Sequence, residues 1–303
     1  MRPKDRTIDV RGLKIHYAEW GDRQGEPFIL LHGFLDHSRS WDPFVAAMVK
    51  ISKRPMWIIA PDCRGHGDSS WVGAGGYYHF PDYVLDLDSL ILNLGSPFVT
   101  LMGHSMGGTI SFLYAGTFPN RVRQLILVEG LGPDGLTFAT APLKMRKWLS
   151  DIRAMGQKKN PRHLTPELAA KRLRWRNPRL KAQMALHLAR HGIKQQSNGN
   201  WVWKFDPLHR TASPQPFYVE QALKFLSRIK SPALLVWGKE SSQSPQRDRK
   251  ERLQVLTHRT VAEIPRAGHM VHHDNPEGLA RVVADFLNRG KGQNAIDLNK
   301  ESC

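Results

Sequence analysis

Cysteine is nearly absent from this 303-residue sequence: only Cys63 and Cys303 occur, far apart in the chain. Two such residues cannot form a disulfide framework or a four-thiolate zinc site. Two free thiols in a reducing, cytoplasmic setting are expected. Long apolar runs are missing too. The longest fall far short of the roughly 20 residues that cross a bilayer, so no membrane span is expected. The opening stretch, MRPKDRTIDVRG, is charged and lacks an apolar leader segment, so no signal peptide is expected. The ending 300-KESC-303 has no Cys four from the end, so no prenylation box is expected. There is no internal repeat, no low-complexity tract, no phosphate-binding P-loop, no dinucleotide fingerprint and no zinc spacing. No cofactor and no metal are expected.

Negative charge is the other shortage. The chain has 27 Asp and Glu against 44 Lys and Arg, a formal net charge of +17. Residues 134–230 alone hold 20 Lys and Arg and 5 Asp and Glu, so nearly all of the excess lies there. A basic excess points to nucleic acid, to an anionic substrate or simply to solvated helix faces. Nucleic-acid binding would need stacking aromatics among the cations, and only 171-KRLRWRNPRLK-181 offers that, so no nucleic-acid partner is expected.

What is present is core material: 41% hydrophobic residues, with nine Trp and twelve Phe. Residues 6–21 read as a hairpin around Arg11-Gly12. The runs 27-PFILLHG-33, 56-MWIIAPD-62, 98-FVTLMGHS-105, 123-RQLILVEG-130 and 232-PALLVWG-238 read as buried strands, with another at 260–265. Helical spacing fills the intervals at 38–50, 81–94, 106–119, 245–257 and 275–289. Alternating strands and helices predict an α/β fold with a mostly parallel, doubly wound sheet of about eight strands. Between Gly130 and Pro232 the alternation gives way to helices. The chain therefore divides into a core at 1–132 and 231–290, a basic helical cap at 133–230 inserted after the strand ending at Glu129, and a disordered tail at 291–303.

One motif carries chemistry. The segment 103-GHSMG-107 fits G-x-S-x-G between a strand and a helix, the context in which a serine is lifted out of a tight turn as a nucleophile. The small neighbours Gly103, Gly107 and Gly108 meet the steric need of that turn. A helix N-terminus behind Ser105 favours developing negative charge. His104 points elsewhere on such a turn and reads as structural. With 30-LLHGF-34, 60-APDCRGHGDS-69 and 266-RAGHMVHHDNPEG-278, the chain resembles the α/β-hydrolases over roughly residues 6–289. Weaker local likenesses at 31–41, 127–133 and 206–210 resemble the serine hydrolase-like proteins within that superfamily.

The resemblance implies an oxyanion hole from the backbone N–H groups of Phe34 and Met106, with His32 holding its loop. It also implies a general base on the loop after the last strand. His269, following Gly268, matches that position, with His272 and His273 as neighbours. These histidines and Asp274 form a cluster, but no matching ligand set accompanies them elsewhere.

The acid has two candidates. In most members it is the last residue of G-x-x-D after the strand at 233–237; here 238-GKES-241 places Ser241 there and Glu240 one residue early. Glu129, ending the strand after the nucleophile helix, is the other candidate, because a subset of haloalkane dehalogenases carries its catalytic Glu there. Glu129 is preferred and Glu240 is the alternative.

A serine nucleophile argues against dehalogenase and epoxide-hydrolase chemistry, which use Asp. Met106 in place of a halide-holding Trp, and a single insertion tyrosine, Tyr218, agree. Trp148, Trp175, Trp201, Trp203, Phe205, Met145, Met155 and Met184 of the insertion form cap core or line a pocket. The implied activity is hydrolysis of a small ester or thioester, anionic ones among the candidates, through an acyl-enzyme. The alternative is a catalytically idle hydrolase fold that binds a small ligand or an acidic partner.

Overall fold

Every apolar run singled out above becomes a strand. The computed structural model describes residues 1–52, 55–135, 138–157, 164–242 and 249–289. The tail after Gly290, with Cys303, lies outside the described residues, as does the start of the helix expected at 245–257. Strands β1 (Lys4–Val10) and β2 (Leu13–Gly21) form the hairpin, turning through Arg11 and Gly12 at positive φ. There follow β3 (Pro27–Leu31), α1 (Asp42–Ile51), β4 (Trp57–Pro61), α2 (Phe80–Leu94), β5 (Val99–His104), α3 (Met106–Thr117) and β6 (Val122–Val128).

Between β6 and the next sheet strand lie α4 (Ala141–Gln157), α5 (Pro166–Arg176), α6 (Ala182–Gly192), a small hairpin of β7 (Ile193–Gln195) and β8 (Trp201–Trp203), and α7 (Val219–Ser227). The hairpin turns through Gly199 at positive φ, in the sequence Ser-Asn-Gly-Asn. The core resumes with β9 (Ala233–Gly238), α8 (Arg249–Val255), β10 (Arg259–Ile264), α9 (Val271–Asp274) and α10 (Pro276–Arg289).

The eight-stranded sheet runs β1-β2-β4-β3-β5-β6-β9-β10, antiparallel at β1/β2 and β2/β4 and parallel elsewhere. The two-residue period of a strand divides its side chains between two faces. Leu125 and Leu127 of β6 join Leu90 of α2 and Phe112 of α3 on one side. Ile126 and Val128 join Phe44 of α1 and Val283 of α10 on the other. Both faces are covered, so the central strands are mostly apolar, with Thr100, Arg123 and Gln124 near their starts and His104 at the end of β5.

Register positions the site. His104 pairs with Val128 and Val128 with Val236, so β5 and β6 end at one level, while β9 and β10 run two residues further to the Gly238–Ile264 pair. Residues that follow those ends, Ser105 and Glu129 among them, emerge side by side. In open parallel sheets the crevice beyond the carboxyl ends of the strands is where ligands bind.

One buried cation fixes the point where the chain leaves the sheet. Arg252 of α8 is fully buried. Its Nη1 donates to the Leu131 carbonyl and its Nη2 to the Pro133 carbonyl, both at 2.6 Å. Hydrogen bonds from charged groups are worth more than neutral ones, and losing them inside leaves acceptors unsatisfied. Arg252→Met is expected to lower unfolding stability by about 3 kcal/mol. A denaturant midpoint unchanged from the parent would show that this anchor contributes nothing.

Candidate active site

Ser105 sits between β5 and α3 with φ 49° and ψ −111°, a conformation that a non-glycine residue adopts only under constraint. The constraint comes from close packing. A Cβ on Gly107 would lie 2.2 Å from the Leu31 carbonyl oxygen, and one on Gly103 would lie 2.2 Å from the Gly107 oxygen. The small residues of the motif are therefore required by contact. The Ser105 N–H donates to Val128 O at 3.0 Å, tying the turn to β6.

Glu129 is the second non-glycine residue here at positive φ, 51°. Its N–H donates to Val236 O, and its side chain is 2% exposed. Oε1 accepts from the Gly238 N–H at 2.8 Å. Oε2 accepts from the Ser241 hydroxyl at 3.1 Å and lies 3.4 Å from His269 Nδ1, long for a hydrogen bond. The structure thus brings Glu129, Ser241 and His269 together. Glu240 is not part of this group: it is 46% exposed and ion-paired with Arg179 of the insertion at 2.8 Å.

The loop carrying His269 is held from below. His104 Nε2 is 2.8 Å from the His269 carbonyl oxygen, and their rings lie 4.8 Å apart. His104 is buried and serves the elbow as a brace. His32 is also buried: its Nδ1 meets Gly33 O at 2.7 Å, and its Nε2 accepts from the Cys63 N–H at 3.0 Å. This fixes the 32–34 turn against the elbow, where a Cβ on Gly33 would come 3.5 Å from the Ser105 Cβ. Met106 is the first residue of α3, so its N–H has no partner within the helix.

The neighbouring histidines do different work. His272 and His273 direct Nε2 at Asp36 Oδ2, at 3.2 and 3.1 Å, all three residues buried. Their ligand atoms lie within 4.8 Å of one another, close enough to hold a cation, as do those of Asp42, His187 and His191 and of His16, Asp62 and Asp68. Direct histidine–carboxylate hydrogen bonds already account for their approach. Asp274 instead accepts from Gly268 N–H and Asn177 Nδ2, outside that group. The role of Asp36 had no signal in the sequence, because its partners lie more than 230 residues away.

A cavity of about 1040 Å³ opens beside Ser105 and is also lined by Phe34, Met106 and Glu129. His269 is not among the lining residues; its side chain is 22% exposed on its loop. The aromatic walls include Tyr77, Tyr78, Phe80, Phe217, Phe225 and the insertion tyrosine Tyr218. None of the insertion tryptophans or methionines considered from the sequence lines it. Trp201 and Trp203 pack in the insertion's own small core, and Trp175 is 84% exposed. The overlooked signal was 77-YYHF-80, an aromatic run on the core side. Of the insertion's cations only Lys144 lines the cavity among the described residues, together with Arg249, Asp134 and Glu129. The basic excess is thus not concentrated on the cavity. Segment 206–210 closes one wall: Asp206 accepts from Tyr78 OH at 2.7 Å, and the His209 ring lies 4.0 Å from that of Tyr78.

A parallel sheet with a strained serine after its fifth strand, and a histidine and carboxylate from neighbouring strand ends, defines an α/β-hydrolase. A model described as the alpha/beta hydrolase family matches residues 28–282, and the chain belongs to that family. It is similar to a serine hydrolase-like protein of Danio rerio, 27% identical over 277 residues, covering 88% of this chain and 83% of that one. Among solved structures, a hypothetical protein of Pseudomonas aeruginosa PAO1 superposes with a TM-score of 0.82 at 28% identity, covering 94% of this chain and 99% of the other. A thioesterase domain from the curacin biosynthetic pathway shares the fold, with a TM-score of 0.80 at 24% identity over 93% of this chain and 99% of that one.

Burial sets the protonation of the histidine-rich floor. It holds His66 and His104 well below the ordinary value, aided by neighbouring histidines. Burial and His273 push His272 down to about 3; burial and His32 push His209 down to about 4. These rings are neutral when folded, whereas the unfolded chain protonates them below about 6.5. Their contribution is complete above that pH and declines as pH falls from 6.5 toward 3–4. His16, His32 and His187 act in the opposite direction but are fewer: Asp62 raises His16 against its burial, Cys63, Asp36 and Asp62 raise His32 against its burial, and Asp42 raises His187. The melting temperature is expected to fall between pH 7 and pH 5, above the range where carboxylates titrate. A flat profile over that interval would contradict this account.

Proposed function

We propose that the protein is a serine hydrolase that cleaves a carboxylic ester or thioester through an acyl-enzyme. The observation that carries this reading is the Glu129 carboxylate, buried at a strand end beside the elbow, with one oxygen shared by Ser241 and His269. In this reading Ser105 Oγ attacks the substrate carbonyl while His269 takes its proton. Glu129 holds His269 as the Nδ1–H tautomer and stabilises the imidazolium that forms. The backbone N–H groups of Phe34 and Met106 receive the developing oxyanion. His269 then returns the proton to the departing alcohol or thiol, and water releases the acyl group by the same steps. The long Nδ1–Oε2 separation is in keeping with a site that tightens only around substrate.

The aromatic walls suit an apolar acyl chain, and a lining of two cations and two carboxylates gives an anionic substrate no net advantage. The buried free thiol of Cys63 is in keeping with a cytoplasmic, reducing setting.

A fluorophosphonate probe is expected to label Ser105, and p-nitrophenyl esters of graded chain length are expected to be turned over. A folded protein that takes up no label would instead be an idle hydrolase fold. Glu129→Gln is expected to lower kcat by ~10³-fold or more, and Glu240→Gln by less than about twofold. Because the Ser241 hydroxyl already touches Glu129 Oε2, adding Ser241→Asp to Glu129→Gln is expected to recover about tenfold or more of the loss. The reverse ranking of the two glutamates would move the acid to Glu240.

A further inference from the structure

The insertion helix α4 has two unlike sides. On the inner side Lys144 lines the cavity, and the Trp148 ring meets Tyr77 edge-on at 5.9 Å. Asp151, the helix's single acidic residue, accepts from the Ala212 N–H at 3.0 Å and pairs with Lys147. On the outer side Met145 and Leu149, one turn apart, are 44% and 40% exposed, and Leu143 at the rim is 64% exposed. Arg146 and Arg153 flank them and are also exposed. The shallow groove along this side, lined by Met145, Arg146, Leu149 and Arg153, takes no wall residue from any other described element.

An amphipathic helix ordinarily turns its apolar stripe inward. Here apolar side chains face outward on both sides of the helix axis, and among the described residues the cations between them have no acidic neighbour on that side. Long basic side chains that reach past exposed apolar ones fit the boundary of a negatively charged bilayer. The apolar groups enter the acyl region there while the cations remain at the headgroups. The surrounding insertion, with 20 Lys and Arg to 5 Asp and Glu, adds attraction of the same sign. A solvated helix would need only the cations; an acidic protein partner would be served by the cations without three outward apolar side chains.

We propose that the outer side of α4 docks the protein on an anionic lipid surface. Lys144 on the same helix borders the cavity, so a docked protein holds its cavity wall next to the membrane, where apolar esters partition. That last step rests on the proposed hydrolase activity; the docking itself does not.

The test is co-sedimentation of the full chain with phosphatidylcholine vesicles with and without phosphatidylserine. The Ser105→Ala protein is run in parallel, so that docking is read independently of catalysis. Binding is expected with phosphatidylserine only, weakening as salt is raised. The Met145→Glu/Leu149→Glu and Arg146→Glu/Arg153→Glu double variants are each expected to bind about tenfold or more weakly. Their melting temperatures, and any turnover of a water-soluble short-chain ester, are expected to match the parent. Absence of binding to phosphatidylserine vesicles, equal binding without phosphatidylserine, or indifference to both double variants would overturn the proposal. So would a concentration-dependent dimer abolished by the same substitutions, which would give the face to a second copy of the chain.

Discussion

A buried carboxylate organises the carboxyl edge of this sheet. Glu129 is shut away from water, so its oxygens must find donors within the protein. Those donors come from the end of β9, through Gly238 and Ser241, and from the loop after β10, through His269. One side chain thereby ties three successive strand ends together. The positive φ at Glu129 and at Ser105 is the local cost, of order 1–3 kcal/mol for each residue, and the level registers of β5, β6 and β9 offset it. The strain falls where two side chains must turn off the strand direction and face the same space.

Features that local rules decide are legible in the sequence; those that distant packing decides are not. The elbow was legible because its glycines answer to steric contacts within a few residues. The strands were legible because a sheet covered on both faces needs continuous apolar runs. The acid was not resolved, because Glu129 and Glu240 both end strands and side-chain direction at such ends depends on how each turn is held. Glu240 turns toward Arg179, a residue of the insertion some sixty positions earlier, and no local pattern announces that. The cavity walls were left open for a similar reason. Tryptophan and methionine draw the eye in the insertion, yet Trp201 and Trp203 are occupied with its own small core. The aromatics that reach the cavity come largely from the stretch before α2 and the stretch around α7.

The histidines show how one residue type serves several physical ends. His104 braces the His269 loop through its ring nitrogen, His32 fixes a turn, and His272 and His273 share Asp36. Each is buried or nearly so, each is hydrogen-bonded, and none faces a substrate path. Burial keeps the His104 and His272 rings uncharged, and each is held through Nε2 while its buried Nδ1 has no partner among the described residues. The floor beneath the site therefore depends on these two rings remaining uncharged.

The pairing of Ser241 with Glu129 makes one fact of two features that looked separate in the sequence. Strands β6 and β9 are neighbours in register, so acids at both ends would point into one small volume next to His269. Two carboxylates that close cannot both stay ionised, and one would be pushed up in pKa until it held a proton. A serine avoids the conflict and adds a donor to the acid that remains. The longer glutamate side chain reaches the histidine from the more distant strand, and the hydroxyl limits where its oxygen can sit. The missing aspartate of 238-GKES-241 and the glutamate of 125-LILVEG-130 are therefore coupled: either one without the other would leave the buried edge with two charges or with none.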